Sequence, residues 1–203
     1  MRRTALPQAN LNPNFIGSWM LQDQLVCDDL VGYFECNKEK QREGVTLGGK
    51  NTDIKNSTDM RMMPQEIKEP GNEVFIRYFD NLFNCYSDYC EQWPFLTTFA
   101  SNLDIGEFNI QRYQSGQHFQ TVHTERSCLS SLHRIFAWMT YLNDVEPIQG
   151  GSTIFSHYDV EIQPQKGLTL IWPAEWTHAH KGSVLHTKAK YIITGWLHFP
   201  HNT

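Results

Sequence analysis

The sequence predicts an α+β fold, mainly β, with a helical first half supporting a strand-rich second half. Three observations carry this expectation. Two segments before residue 94 repeat apolar residues at helical spacing. After residue 108, short β-type runs alternate with turn signals. The composition, 40% hydrophobic and 19% charged, is that of a globular chain and excludes a disordered or fibrous one. At 203 residues it is read as a single domain, with helical support and a loop over 1–100 and a β core over 101–203.

The first helix is expected from Gln24 to about Glu39, where Val26, Leu30, Tyr33 and Phe34 share a face and Gly44 follows as a stop. The second stripe is longer: Phe75, Tyr78, Phe79, Leu82, Tyr86, Tyr89 and Trp93, with Asn72 as the expected cap and Pro94 as the terminator. Between them, residues 45–71 are rich in Gly, Asn, Thr, Met and Pro and read as a long loop. Within it, Lys55-Asn56-Ser57-Thr58-Asp59 reads first as a generic polar loop, with a place near the mouth of a site as the alternative. Strands are expected at 109–113, 134–142, 152–155, 160–162, 168–172 and 190–199, separated by Ser115-Gly116, Gly150-Gly151, Gln165-Lys166-Gly167 and Lys181-Gly182. Short strands at this spacing point to a sandwich or barrel.

Charge and cysteine usage exclude several classes. The formal net charge is -5 and no basic block occurs, so no nucleic-acid partner is expected. No apolar run is long enough to cross a membrane, and no apolar segment follows Met1-Arg2-Arg3 to make a signal peptide. Cys27, Cys36, Cys85, Cys90 and Cys128 are odd in number and form no CxxC pair. They read as buried small hydrophobes in a reducing, cytoplasmic compartment, with no disulfide framework or structural zinc.

His123-Thr124-Glu125 places an imidazole and a carboxylate two residues apart, on one face of an extended segment. A second histidine from elsewhere would complete a two-histidine, one-carboxylate set, which leaves three open positions and suits non-haem Fe(II). Trp176-Thr177-His178-Ala179-His180 offers two candidates for it.

Several ordered motifs resemble the Fe(II)- and 2-oxoglutarate-dependent dioxygenases, in their prolyl 4-hydroxylase-like branch. Tyr113-Gln114-Ser115-Gly116-Gln117-His118-Phe119 is similar to the run that leads into the family's first ligand pair. Tyr141-Leu142-Asn143-Asp144-Val145, Gly150-Gly151-Ser152-Thr153-Ile154-Phe155, Pro164-Gln165-Lys166-Gly167 and Leu170-Ile171-Trp172-Pro173 follow in the family's order. The resemblance implies a double-stranded β-helix (jelly roll) with N-terminal packing helices. It also selects His180 over His178, because a basic residue ten positions on and a tryptophan six beyond it fall at Lys190 and Trp196. His123, Glu125 and His180 would then be the catalytic metal ligands. Lys190, assisted by a hydrogen bond from Tyr113 and with Trp196 nearby, would bind the cosubstrate. The implied cofactors are Fe(II) and 2-oxoglutarate, with ascorbate as an accessory reductant. The implied activity is hydroxylation of an unactivated C–H bond using O2, most closely that of a peptidyl-prolyl 4-hydroxylase, with release of succinate and CO2. The alternatives are a hydroxylase of a small molecule such as a free amino acid, and a non-enzymatic cupin-like binding module.

The chain departs from the family pattern in three places. Glu125 stands where Asp is commoner. One extra residue separates Phe119 from His123, which predicts a register shift or a bulge. Ala137 occupies a position where a cosubstrate-binding Thr is frequent.

Overall fold

The computed structural model describes residues 2–4, 13–46 and 48–200. Strands β1 (Arg2–Arg3) and β2 (Gly17–Met20) precede helix α1 (Leu25–Cys36). Strands β3 (Gln41–Glu43) and β4 (Thr58–Met62) lead to helix α2 (Glu73–Gln92) and the short α3 (Leu96–Phe99). The remaining strands are β5 (Asp104–Gln114), β6 (Phe119–His123), β7 (Arg134–Tyr141), β8 (Thr153–Phe155), β9 (Val160–Ile162), β10 (Leu168–Pro173), β11 (His180–Gly182) and β12 (Ala189–His198). They form an eight-stranded sheet, ordered β1-β2-β10-β7-β12-β5-β4-β3, facing a four-stranded sheet, ordered β6-β11-β8-β9. The strand pairs are antiparallel. This is the expected jelly roll with its packing helices.

The large sheet is buried on both faces, which is why β7 reads as a nearly continuous apolar run. Alternation sends Phe136 and Trp138 to the helix side, and Ala137, Met139 and Tyr141 to the side facing the small sheet. On the helix side, Trp138 meets Tyr78 and Phe79 of α2 with ring centroids 5.8 and 5.6 Å apart. The stripe of α2 supplies Phe75, Tyr78, Phe79, Leu82 and Tyr89 to this core, and α1 supplies Val26, Cys27, Leu30 and Phe34. Each such large side chain contributes roughly 1.5–3 kcal/mol by burial. Gly195 lets β12 pass close to this layer: a Cβ there would lie 2.6 Å from the Trp138 ring.

Several expectations are corrected. The segment 45–71 is not one loop, because β4 pairs with β5 and β3 inside the large sheet, and a 3-10 turn spans Pro64–Lys68. Met60 and Met62 are fully buried on the helix side, so two methionines read as loop composition are core. The first hundred residues therefore contribute strands as well as support. Asn72 precedes α2 but makes no side-chain cap; its amide donates to the Glu66 carbonyl and its side-chain oxygen accepts from the Tyr33 hydroxyl. Cys27 and Cys85 are buried as expected, whereas Cys36 and Cys128 are exposed; all five thiols are free. Among the described residues, no helix is long and apolar enough to cross a membrane.

Candidate active site

His123 ends β6 and His180 begins β11, and the two are register partners across the small sheet. Their rings lie 4.4 Å apart. Glu125 follows β6 and turns back, so that Oε1 lies 3.4 Å from His180 Nε2 and 3.9 Å from His123 Nε2. One ligating atom from each of the three falls within 4.8 Å of the others.

The supporting bonds fix which atoms face the centre. His123 Nδ1 lies 2.9 Å from the Thr121 carbonyl, and His180 Nδ1 lies 2.9 Å from the His178 carbonyl. A carbonyl only accepts, so each Nδ1 carries a proton, and Nε2 is the atom each ring turns to the centre as a candidate ligand. Burial, reinforced by the neighbouring His180, lowers the His123 pKa to about 4, which keeps that ring neutral. Burial alone would raise the Glu125 pKa. The hydrogen bond and charge that His180 supplies when its Nε2 is protonated, the charge of His123 when protonated, and the Trp196 bond outweigh it and bring the value down to about 2. Trp196 Nε1 donates to Glu125 Oε2 at 2.7 Å, leaving Oε1 for the centre. Phe119 stacks on His123 at 3.7 Å with planes 9° apart, and the Trp172 ring meets His180 edge-on at 5.2 Å. Two imidazole nitrogens and one carboxylate oxygen, oriented by partners behind them, form a donor set that fits Fe(II).

These residues line a cavity of about 820 Å³. Lys190, Ile192, Thr194 and Trp196 all line it, as strand alternation predicts. The Lys190 ammonium is buried, donates to the Gly151 carbonyl at 2.8 Å and sits 4.5 Å from the centroid of the Tyr113 ring. No carboxylate neutralises it among the described residues, and burial lowers its pKa to about 8. Gly150 and Gly151 both take positive φ, 72° and 75°, which presents that carbonyl. The Tyr113 hydroxyl donates to Gln111 Oε1 at 2.8 Å, so in this state its proton points away from Lys190. Trp196 bonds the Glu125 carboxylate, and its indole face carries the Arg134 guanidinium at 3.5 Å.

His178 lies outside the cluster. Its Nε2 bonds the Asn14 carbonyl at 2.8 Å and its ring packs on Tyr158; its own carbonyl holds His180. Ala137 is buried between Trp172 and Trp196 on the adjacent strands. The pairing before His123 is irregular, as the extra residue predicts: Phe119 and His123 are four positions apart, while their partners Gly182 and His180 are two apart.

Sequence reasoning under-read two features. Lys55 and Asp59, read as loop, are a buried ion pair at 2.5 Å in the cavity wall. Thr153 also lines the cavity. The Tyr141 hydroxyl donates to its Oγ1 at 2.6 Å, so the Thr153 proton remains available to a ligand. Asp59 in turn accepts from Ser57 and Gln111. The signal for Thr153 was its place in the Gly150–Phe155 motif; for Lys55 and Asp59 it was the similarity of 55–59 to a KxSxD stretch near the site mouth, ranked below the loop reading.

The comparisons with known proteins agree with this geometry. Residues 108–198 match the model of the 2OG-Fe(II) oxygenase superfamily. No curated protein sequence matches. Among solved structures, a Pseudomonas putida prolyl-4-hydroxylase is similar with a TM-score of 0.72 and 15% identity, over 95% of this chain and 96% of that one. A viral collagen prolyl hydroxylase from Paramecium Bursaria Chlorella virus-1, complexed with 2OG, gives 0.67 and 15%, over 94% and 98%. A Trichoplax adhaerens prolyl hydroxylase, bound to a peptide fragment of the hypoxia inducible factor oxygen degradation domain, gives 0.70 and 15%, over 93% and 85%. The chain carries a 2OG-Fe(II) oxygenase domain. That match supports a 2-oxoglutarate-dependent dioxygenase, and the family implies Fe(II) and 2-oxoglutarate.

Proposed function

We propose that this dioxygenase hydroxylates a peptidyl residue, in the manner of a prolyl 4-hydroxylase, and releases succinate and CO2. The observation that carries the reading is the convergence of His123, Glu125 and His180 on the cavity that also holds the buried, carboxylate-free Lys190. The likeness to prolyl hydroxylases over nearly the whole chain supports a peptide substrate.

His123 Nε2, His180 Nε2 and Glu125 Oε1 would hold Fe(II). Bound together, iron and 2-oxoglutarate supply the oxygen activation that no side chain here can provide. The chain's own contribution is orientation. The Thr121 and His178 carbonyls hold the two imidazole tautomers, and Trp196 holds the free oxygen of Glu125. Lys190 would pair with the far carboxylate of 2-oxoglutarate, with the Thr153 hydroxyl as a second donor. Tyr113 would join them only by turning its proton away from Gln111. Ile192, Met139 and Trp172 keep water from this end of the cavity.

The test is a peptide screen with Fe(II), 2-oxoglutarate and ascorbate, read by mass for the gain of one oxygen on a prolyl residue. Oxygen gain on free amino acids and on no peptide would replace this reading with that of a small-molecule hydroxylase. Absence of succinate under every condition would leave a binding module.

A further inference from the structure

Lys55 is 5% exposed and lines the cavity, yet neither metal nor cosubstrate needs it. Its ammonium has three donors. One goes to Asp59 Oδ2 at 2.5 Å, and the Phe119 ring, 5.7 Å from the nitrogen, flanks it. Asp59 is further occupied by Ser57 Oγ at 2.7 Å and Gln111 Nε2 at 3.4 Å. A buried ion pair rarely repays its desolvation and can often be replaced by apolar residues without loss of stability. Its place in the cavity wall therefore suggests recognition rather than folding.

The charge of that wall gives the recognition a sign. Seven Lys and Arg line the cavity against four Asp and Glu, in a chain of net charge -5. Arg61 pairs with Glu107 and Lys50 with Glu43. Arg42 spends its hydrogen bonds on the Glu39 and Gln41 carbonyls, and Arg134 donates to the Glu125 carbonyl. Neither forms a salt bridge among the described residues, and the carboxylate that acts on Arg134 is Glu125 of the triad. The rim beside Arg42 is Glu43, Val45, Thr46 and Gly48, with no aromatic platform for a base. We propose that Lys55, with Arg42 on the rim and Arg134 beside the triad, receives carboxylate side chains flanking the target residue, so that the cavity selects an acidic peptide. This rests on the peptide-hydroxylase reading above.

The test separates binding from turnover. The protein is loaded with Mn(II) and 2-oxoglutarate under nitrogen, and fluorescent proline-centred peptides with Glu/Asp, Ser/Gln or Lys/Arg flanks are titrated by anisotropy. Acidic peptides are expected to bind about tenfold or more tighter than neutral ones, and basic ones weakest, with the preference shrinking as salt rises. Lys55→Met combined with Asp59→Leu, which leaves no lone buried charge, should cut the acidic preference by about fivefold or more, and Lys55→Arg alone should retain it. If the double variant has no melting transition, Arg42→Ser on the rim gives the same reading. Equal binding of acidic and neutral peptides, an unchanged preference in these variants, or tighter binding of a single-stranded oligonucleotide than of any peptide would overturn the inference. Fe(II) and air are then supplied to the bound peptides. Acidic preference without oxygen gain leaves the inference standing and removes the hydroxylase reading.

Discussion

Replacing Lys190 with Met should make the ligand-free protein more stable and 2-oxoglutarate binding far weaker. The ammonium is buried, its one hydrogen-bond partner is the Gly151 carbonyl, and no carboxylate balances it among the described residues. Burial lowers its pKa from 10.5 to about 8. At about 1.4 kcal/mol per tenfold, that drop corresponds to a cost of about 3 kcal/mol for carrying the charge in the folded state at neutral pH. The folded chain binds this proton less tightly than the unfolded chain. The cost is therefore complete below pH 8 and is relieved as pH rises from about 8 towards 10.5. Methionine keeps an unbranched stem without the charge, so Lys190→Met should gain about 1–3 kcal/mol at pH 7, with the gain vanishing in alkali. The same change removes one partner of an enclosed ion pair with 2-oxoglutarate, a loss of roughly 3–5 kcal/mol, or about two to three orders of magnitude in affinity. Urea denaturation of the ligand-free variant across pH, beside calorimetric titration with 2-oxoglutarate, reads both effects. A variant that is less stable at pH 7, or that binds 2-oxoglutarate as before, would refute the assignment of Lys190 as a charge held for the cosubstrate.

The pH dependence of wild-type binding follows from the same group: 2-oxoglutarate affinity should be level below pH 8 and fall above it, whereas Lys190→Arg should remove the fall. His180→Ala should abolish Fe(II) binding in an anaerobic titration. His178→Ala should retain it and lower stability by about 1–2 kcal/mol, because it frees the Asn14 carbonyl. Glu125→Asp should weaken metal binding by roughly 10–100-fold, since the shorter arm cannot keep both Trp196 Nε1 and the centre; equal affinity in a metal competition assay would show that the extra methylene is idle. In hydrogen exchange, residues 58–62 should stay protected with or without substrate because they pair within the sheet, and protection that depends on substrate should be confined to 45–57.

The parts of the fold legible in the sequence are those with a period. The α2 stripe and the alternation along β12 each follow from one repeating face, and both fall where the periodicity places them. The strands that escaped notice, β1, β2, β3, β4, β6 and β11, have two to five residues each, too few to display a period; β8 and β9 are as short and were placed by the turn signals around them. In β4 the alternation is also split between two environments: Met60 and Met62 enter the helix-side core, while Asp59 and Arg61 line the polar cavity. A charged residue on a buried face reads as loop until its partner is known, and the partner of Asp59 is Lys55, across the bend that opens β4. The candidate ligands were legible because His123 and Glu125 lie two positions apart, on one face of an extended segment. What could not be read was the direction of each proton, which depends on the Thr121, His178 and Gln111 acceptors that only the folded chain supplies.

Two departures from the family pattern make sense together. The extra residue in β6 bulges against β11, yet His123 still pairs with His180, so the irregularity lies between Phe119 and His123 and leaves the two imidazoles aligned. The bulge also permits Phe119 to fold back and stack on the His123 ring. Beyond His123, the chain is held by the Thr124 hydroxyl on the Ala174 carbonyl and by Arg134 on the Glu125 carbonyl. With the backbone of Glu125 anchored there, its longer side chain spans from Trp196 Nε1 to the two Nε2 atoms. Arg134 lies over the face of the same indole. Backbone anchor, carboxylate and indole thus close a ring of contacts around Glu125. In this chain the glutamate is an integral part of that ring, and the geometry of the candidate triad depends on its length.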